Sequence, residues 1–392
     1  MIFSPTFSQE EGTNPSRKIL AGYYPDWGVW NHPSYTVDLV PYKQLTHVIW
    51  SFISPNEDGS LRGDAVQDPS DLDQMVKLAH DQGVKVILSL GGAGLCENFA
   101  PVSKNEALRS KFVKELMEFV EAHHLDGVDM DWEYSKVPVA SEDTAGYNKL
   151  LKDIRTNLPQ GKTLSAALPC SDYYGKFFTA EALLENLDWF GLMTYDITGD
   201  WDEKARFDSP LLPNSKWTTW SWKQAAAYWT KRGVPASKIV MGVPSFGFVF
   251  HGATGPGSDF DYAEQESYAD ILKMADWQLF YDDISKEPYG IADDMFVTYE
   301  DARSSIEKAS WIVTNNYAGA MVWELSHDYL EEEKQPIINA LSTVLLDGIV
   351  PDRIGTRRSR TNLNSLSAGR YTYDALGQFV RNRPASGHYY NR

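Results

Sequence analysis

Apolar residues along this chain gather into short runs of about five to seven, and between the runs they recur every three or four positions. Short runs rich in Val, Ile, Leu and aromatic residues predict strands buried on both faces, and the intervening period predicts amphipathic helices. Strands are expected at Ile19–Tyr24, Thr46–Phe52, Lys85–Leu90, Gly127–Glu133, Thr163–Leu168, Trp189–Tyr195, Ile239–Pro244 and Ala318–Trp323. Helices are expected over about 69–82, 105–123, 144–157, 179–186, 219–232, 300–314 and 334–346, several opened by Asp, Ser or Thr at the N-cap. The first connection is the least helical. This alternation predicts an α/β fold, a (β/α)8 TIM barrel. An open doubly wound sheet would usually need fewer strands and a phosphate-binding glycine fingerprint, and Gly91-Gly92-Ala93-Gly94 lacks that spacing.

One interval breaks the rhythm. From Phe246 to Phe296 the chain is too long for an ordinary loop between a strand and its helix. A candidate helix at 266–275 and a strand-like Trp277–Tyr281 predict a small α+β insertion, about 246–298, beside the barrel mouth. The domain reading is then a flexible N-terminal segment at 1–17, a catalytic barrel at 18–350, and a basic linker and tail at 351–392. That tail carries eight Arg against Asp352 and Asp374, whereas the whole chain has a formal net charge of −18. The acidic body disfavours nucleic acid or an anionic membrane as partner and suits a neutral or cationic ligand. No run of apolar residues is long enough to span a bilayer, and residues 1–17 lack the apolar core of a secretory signal.

The fourth strand carries the chemistry. Asp129, Asp131 and Glu133 alternate with Val128, Met130 and Trp132, so an extended backbone puts three acids on one face and apolar residues on the other. A solvated edge strand or a calcium site fits that pattern poorly, because the apolar face implies cover on both sides. Like charges held this close in a low dielectric must shift their pKa values and share protons. A carboxyl kept protonated near neutrality is what a general acid requires. Asp126 falls out of phase with the other acids and is read as a structural support. Cys96 and Cys170, the two cysteines, offer no disulfide framework, and the histidines show no ligand spacing, so no metal and no cofactor are expected.

Asp126-Gly127-Val128-Asp129-Met130-Asp131-Trp132-Glu133 resembles the DGxDxDxE signature of the glycoside hydrolase family 18 chitinases. The resemblance continues through Gly22-Tyr23-Tyr24, Ser89-Leu90-Gly91-Gly92, Met193-Thr194-Tyr195-Asp196 and Gly319-Ala320-Met321-Val322-Trp323, in order over residues 18–328. Pro288-Tyr289 and Val297–Asp301 are similar to the insertion of deep-grooved bacterial-type members. The resemblance implies hydrolysis of β-1,4 N-acetylglucosamine linkages of chitin or chitooligosaccharides, with retention and through an oxazolinium formed by the substrate's own acetamido group. It implies Glu133 as acid and base, Asp131 as partner of the acetamido N–H, Asp129 as its buffer and Tyr195 as the acetamido-orienting hydroxyl. Trp323, Asp196, Met193, Tyr23, Phe52, Trp27 and Trp201 are the implied substrate contacts, although each aromatic alone is as readily core as platform.

Where the family often has Tyr-Gly-Arg after the seventh strand, this chain has Phe246-Gly247-Phe248, so an arginine contact to a neighbouring sugar is not expected. An endo-β-N-acetylglucosaminidase acting on N-glycan cores would share the acids but usually lack the insertion. An inactive chitin-binding lectin would be expected to lack the acid at 131 or 133. Tyr373–Val380 with Ala385–Tyr390 looks like the terminal sorting modules of proteins exported by type IX secretion, which implies a secreted or cell-surface protein; the alternative is a basic tail that clings to an acidic surface. A monomer is expected.

Overall fold

A computed structural model describes residues 17–31, 34–62, 69–133, 140–330 and 335–349, with the backbone of 372–373 and 379–380. The N-terminal segment and nearly all of the tail therefore lie outside the described residues. In chain order the strands are β1 (Ile19–Pro25), β2 (His47–Ile53), β3 (Lys85–Gly91), β4 (Gly127–Asp131), β5 (Thr163–Pro169), β6 (Trp189–Met193), β7 (Ile239–Pro244), β8 (Phe246–His251), β9 (Tyr262–Ser267), β10 (Gln278–Asp282), β11 (Glu287–Ala292), β12 (Met295–Tyr299) and β13 (Gly319–Trp323). Strands β1 to β7 and β13 close a parallel barrel in the order β1-β13-β7-β6-β5-β4-β3-β2.

The apolar runs become barrel strands because both of their faces are covered. Every residue of β2 is buried. Tyr23, Ile49, Ile87, Val240 and Met321 share one cluster inside the barrel, whereas the alternate residues Leu20, Val48, Leu88, Met130, Leu192 and Val322 join a second, larger core. The helices are α1 (Pro69–His80), α2 (Phe99–Lys104), α3 (Glu106–Ala122), α4 (Ser141–Asn157), α5 (Asp172–Gly175), α6 (Ala180–Asn186), α7 (Trp222–Lys231), α8 (Tyr268–Met274), α9 (Ala302–Thr314) and α10 (Pro336–Leu345), and all but α5 contribute residues to that larger core. In place of a first helix the chain makes three short 3-10 turns before β2.

The insertion is a five-stranded antiparallel sheet, ordered β10-β11-β12-β8-β9, with α8 packed on it. Only Ser245 separates β7 from β8. A buried polar network ties this sheet to the loop after β6. Lys308 of α9, fully buried, pairs with Glu300, stands 3.8 Å from Glu287 of β11 and donates to Ser209 Oγ at 3.1 Å. The Ser209 amide in turn donates to Glu287 Oε1 at 3.2 Å. A lysine placed among two carboxylates and a hydroxyl has the partners that a charge removed from water requires.

Several strand ends shift by one residue from expectation, and two fall two residues short. β4 stops at Asp131 and β6 at Met193, so Glu133 and Tyr195 stand on the loops just beyond the sheet. At β4 the Asp131 carbonyl is taken by the Gly92 amide at 2.8 Å, and the chain leaves the ladder there. At β6 the Thr194 hydroxyl binds the Gly242 carbonyl at 2.7 Å, and Asp196 enters the left-handed region at φ 54°.

The structural reading of Asp126 agrees with its contacts. Its Oδ2 accepts the Val86 amide and the His80 Nε2, both at 2.8 Å, at the end of the barrel opposite the acids. Asp126→Ala leaves the Val86 amide without its acceptor, which costs about 1–3 kcal/mol. We expect a lower melting temperature with turnover unchanged within about twofold; a large loss of turnover at full stability would give Asp126 a role in the chemistry.

Candidate active site

Asp129 and Asp131 lie on β4 with the alternation that their spacing predicts, Glu133 stands two residues beyond its end, and the three environments differ. Asp129 is fully buried and sits between Ser89 and Ser165, its register neighbours on β3 and β5. Ser89 Oγ and Tyr23 Oη donate to its Oδ2 at 2.9 and 3.0 Å, and Ser165 Oγ donates to its Oδ1 at 2.6 Å. Burial raises its carboxyl above the usual range, and the three hydroxyls oppose that shift.

Asp131 is also buried, yet its Oδ1 accepts no hydrogen bond from the described residues. Burial first, then the charges of Glu133 and Asp129, raise its carboxyl well above the ordinary value. Glu133 is half-buried, and loss of solvent raises its carboxyl as well. Neighbouring acids that each resist ionisation titrate as a set. Glu133 is the outermost of the three.

Tyr195 is buried beside the acids, with its ring edge-on to Phe246 at 5.8 Å. Burial, with the charge of Asp131 next, holds its phenol far above the ordinary value, so the hydroxyl remains a donor. Met193 at the end of β6 joins Trp132, Glu133, Pro169, Tyr174 and Phe178 around a cavity of about 100 Å³. Asp196 projects into the cleft, where its Oδ1 accepts from Gln265 Nε2 of β9 at 3.2 Å. Its surroundings and the Glu133 charge raise its carboxyl, although its own side chain still meets solvent, which moderates the shift.

Four of the implied aromatic contacts form one connected surface. Phe52 stacks between Trp323 at 5.6 Å and Trp27 at 6.0 Å, and Tyr23 meets Trp323 edge-on at 5.5 Å. Trp27 and Trp323 keep part of their faces open, and a ring face so presented can stack on the apolar face of a sugar. Trp201 stands apart from them, 65% exposed, braced edge-on by Phe248 at 5.8 Å. Phe248 thus supports a ring where an arginine contact was not expected. Among the described residues no group of three or more His, Cys, Asp or Glu is arranged to hold a metal ion. No described helix is long and apolar enough to cross a membrane.

Sequence reasoning did not single out Ser165 or Gln265. Ser165 has a usable signal, since aligning β4 with β5 in a parallel barrel brings it beside Asp129. Gln265 has none, because it reaches the site from an insertion whose fold the barrel pattern does not determine.

Comparison with known proteins agrees with this geometry. The profile of glycosyl hydrolases family 18 matches residues 19–328. Endochitinase 1 of Metarhizium robertsii is 28% identical over 357 residues, covering 81% of this chain and 83% of the relative. Chitinase B of Serratia marcescens is 28% identical over 410 residues, covering 80% and 81%. Catalytic domain 2 of the Ostrinia furnacalis Group II chitinase superposes with a TM-score of 0.79 at 27% identity, covering 85% of this chain and 97% of that domain. The chain is a glycoside hydrolase and belongs to glycosyl hydrolases family 18, the family of the chitinases it matches.

Proposed function

We propose that this protein hydrolyses β-1,4 linkages between N-acetylglucosamine units of chitin or its oligomers, with retention of configuration and with the substrate supplying the nucleophile. The observation that carries this reading is the open oxygen of Asp131 between an Asp129 saturated by three hydroxyls and a Glu133 whose carboxyl burial raises. Most retaining glycosidases use a second protein carboxylate as nucleophile, and family 18 is an exception. Here Glu133 protonates the glycosidic oxygen as the acetamido carbonyl attacks the anomeric carbon. Asp131 Oδ1 accepts the acetamido N–H and offsets the charge of the oxazolinium, while Tyr195 orients the carbonyl. Asp129, fixed by three hydroxyls, keeps Asp131 turned toward the ligand and buffers its charge. Glu133, now deprotonated, takes the proton of the incoming water as that water opens the oxazolinium.

Trp27, Phe52, Tyr23 and Trp323 form the floor for the reacting and adjacent sugars, Met193 and Asp196 hold the substituents of the reacting ring, and Trp201 carries a sugar further along. A variant of the Ostrinia domain, 26% identical to this chain, was solved in complex with (NAG)5, which supports an extended oligosaccharide as ligand. A polymer of this size does not cross membranes, which supports action outside the cell.

The test is early-time chromatography of N-acetylglucosamine hexamer with resolution of anomers. Release of β-anomeric dimer or trimer is the expected result. An α-anomeric product would exclude retention, and no product with hexamer still bound would leave a lectin.

A further inference from the structure

Just beyond β4 the chain must place Glu133 without help from the sheet, since the ladder to β5 ends at Met130 and the strand itself at Asp131. The Glu133 amide still needs an acceptor, because a backbone donor without one is costly wherever water is scarce. It finds a sulfur. Glu133 N–H donates to Cys96 Sγ at 3.3 Å. The same thiol faces the Gly92 carbonyl at 3.3 Å and the Asp131 carbonyl at 3.5 Å, so its single proton is shared between the exits of β3 and β4. Burial holds the thiol protonated, and Cys96 is 8% exposed.

The fit is close. Gly91 runs at φ +112°, and a Cβ there would stand 2.3 Å from the Asp131 carbonyl oxygen and 3.0 Å from the Cys96 sulfur. The backbones of the two strand ends therefore approach as nearly as they can, with the thiol closing the gap between them.

We propose that Cys96 is a positioning residue for Glu133, its sulfur anchoring the amide of the acid while its proton ties down the backbone of Asp131. The consequence follows from catalytic geometry, where a misplacement on the order of 1 Å can cost about a hundredfold in rate. Removing the sulfur frees the segment that carries the acid. It leaves the aromatic floor that binds sugar untouched, so turnover suffers and affinity does not. A loosened Glu133 also regains solvent, which moves its carboxyl back down toward the ordinary glutamate value.

This inference rests on the proposed reaction, and the test separates the two. Cys96→Ala and Cys96→Ser are made in the full chain and assayed on N-acetylglucosamine hexamer over about pH 4–9. We expect Cys96→Ala to lower kcat about tenfold with KM within about twofold, and to move the alkaline limb of the pH profile to lower pH. Cys96→Ser, which keeps a donor and an acceptor, should stay within about threefold of wild type. Should Cys96→Ala not fold, Cys96→Val, apolar and of similar volume, takes its place. An apolar variant matching wild type in kcat and pH limb overturns the proposal, as does a Cys96→Ser variant as impaired as the apolar one. If wild type does not cleave the hexamer, the reaction reading fails on its own. Positioning is then judged by carbon-13 NMR titration of the Glu133 carboxyl, assigned with Glu133→Gln. A lower midpoint in the apolar variant supports the role, and an unchanged one overturns it.

Discussion

Glu133→Gln will cut turnover of chitooligosaccharides by at least about two to three orders of magnitude, the range usual for loss of a general acid, while oligosaccharide binding persists. The amide keeps the shape and hydrogen-bonding reach of the carboxyl but has no proton to give at accessible pH. The stacked rings of Phe52, Trp27 and Trp323, proposed above to hold sugar, are unchanged by the substitution. Direct binding by calorimetry beside the rate assay separates the two effects, and near-normal turnover would remove Glu133 from the mechanism. The pH profile gives the sign. Burial raises the Glu133 carboxyl, and the acid works only while protonated, so the wild-type rate falls as pH rises through that raised pKa. The alkaline limb must therefore sit above the range of an exposed glutamate.

Exchanging the acetamido group of the reacting sugar for a free amine or a hydroxyl should abolish cleavage at that linkage. An internal nucleophile held in position is worth several kcal/mol of barrier through effective molarity, and nothing in the protein replaces it in this mechanism. Asp131 sharpens the expectation, since its unoccupied Oδ1 would lose the N–H it is open to receive. The measurement is cleavage of defined, partly substituted oligomers, with products identified by mass. Cleavage of an all-glucose chain at a comparable rate would mean that a protein carboxylate attacks instead.

The barrel was legible in the sequence because most of its strands, buried on both faces, write themselves as short, largely apolar runs. The in-line acids were legible because the period of a strand is two. Strand ends were not, because they depend on partners elsewhere: β4 ends where the Gly92 amide takes the Asp131 carbonyl, and β6 where Thr194 takes that of Gly242. The aromatic floor illustrates the same limit. Tyr23, Trp27, Phe52 and Trp323 come from the neighbouring strands β1, β2 and β13 and the turn after β1, and only closure of the barrel makes one surface of them. The hydroxyl cage of Asp129 lay between, readable from register once the strand order is known. The basic tail, an equally plain signal in the sequence, falls outside the described residues.

The single-residue junction at Ser245 bears on how a long polymer enters the cleft. Its amide is held by the Trp323 carbonyl at 2.9 Å, its hydroxyl donates to the Glu324 carbonyl, and its own carbonyl receives the Tyr268 amide at 2.9 Å. The side of the cleft raised by the insertion is thus welded to the end of the strand that carries Trp323, with no hinge of its own. A gate that swings open would have to tear those bonds and drag the Lys308 network through its burial. The groove is accordingly a trough of set depth rather than a jaw, and under the proposed activity a sugar chain would be laid into it rather than clasped by it.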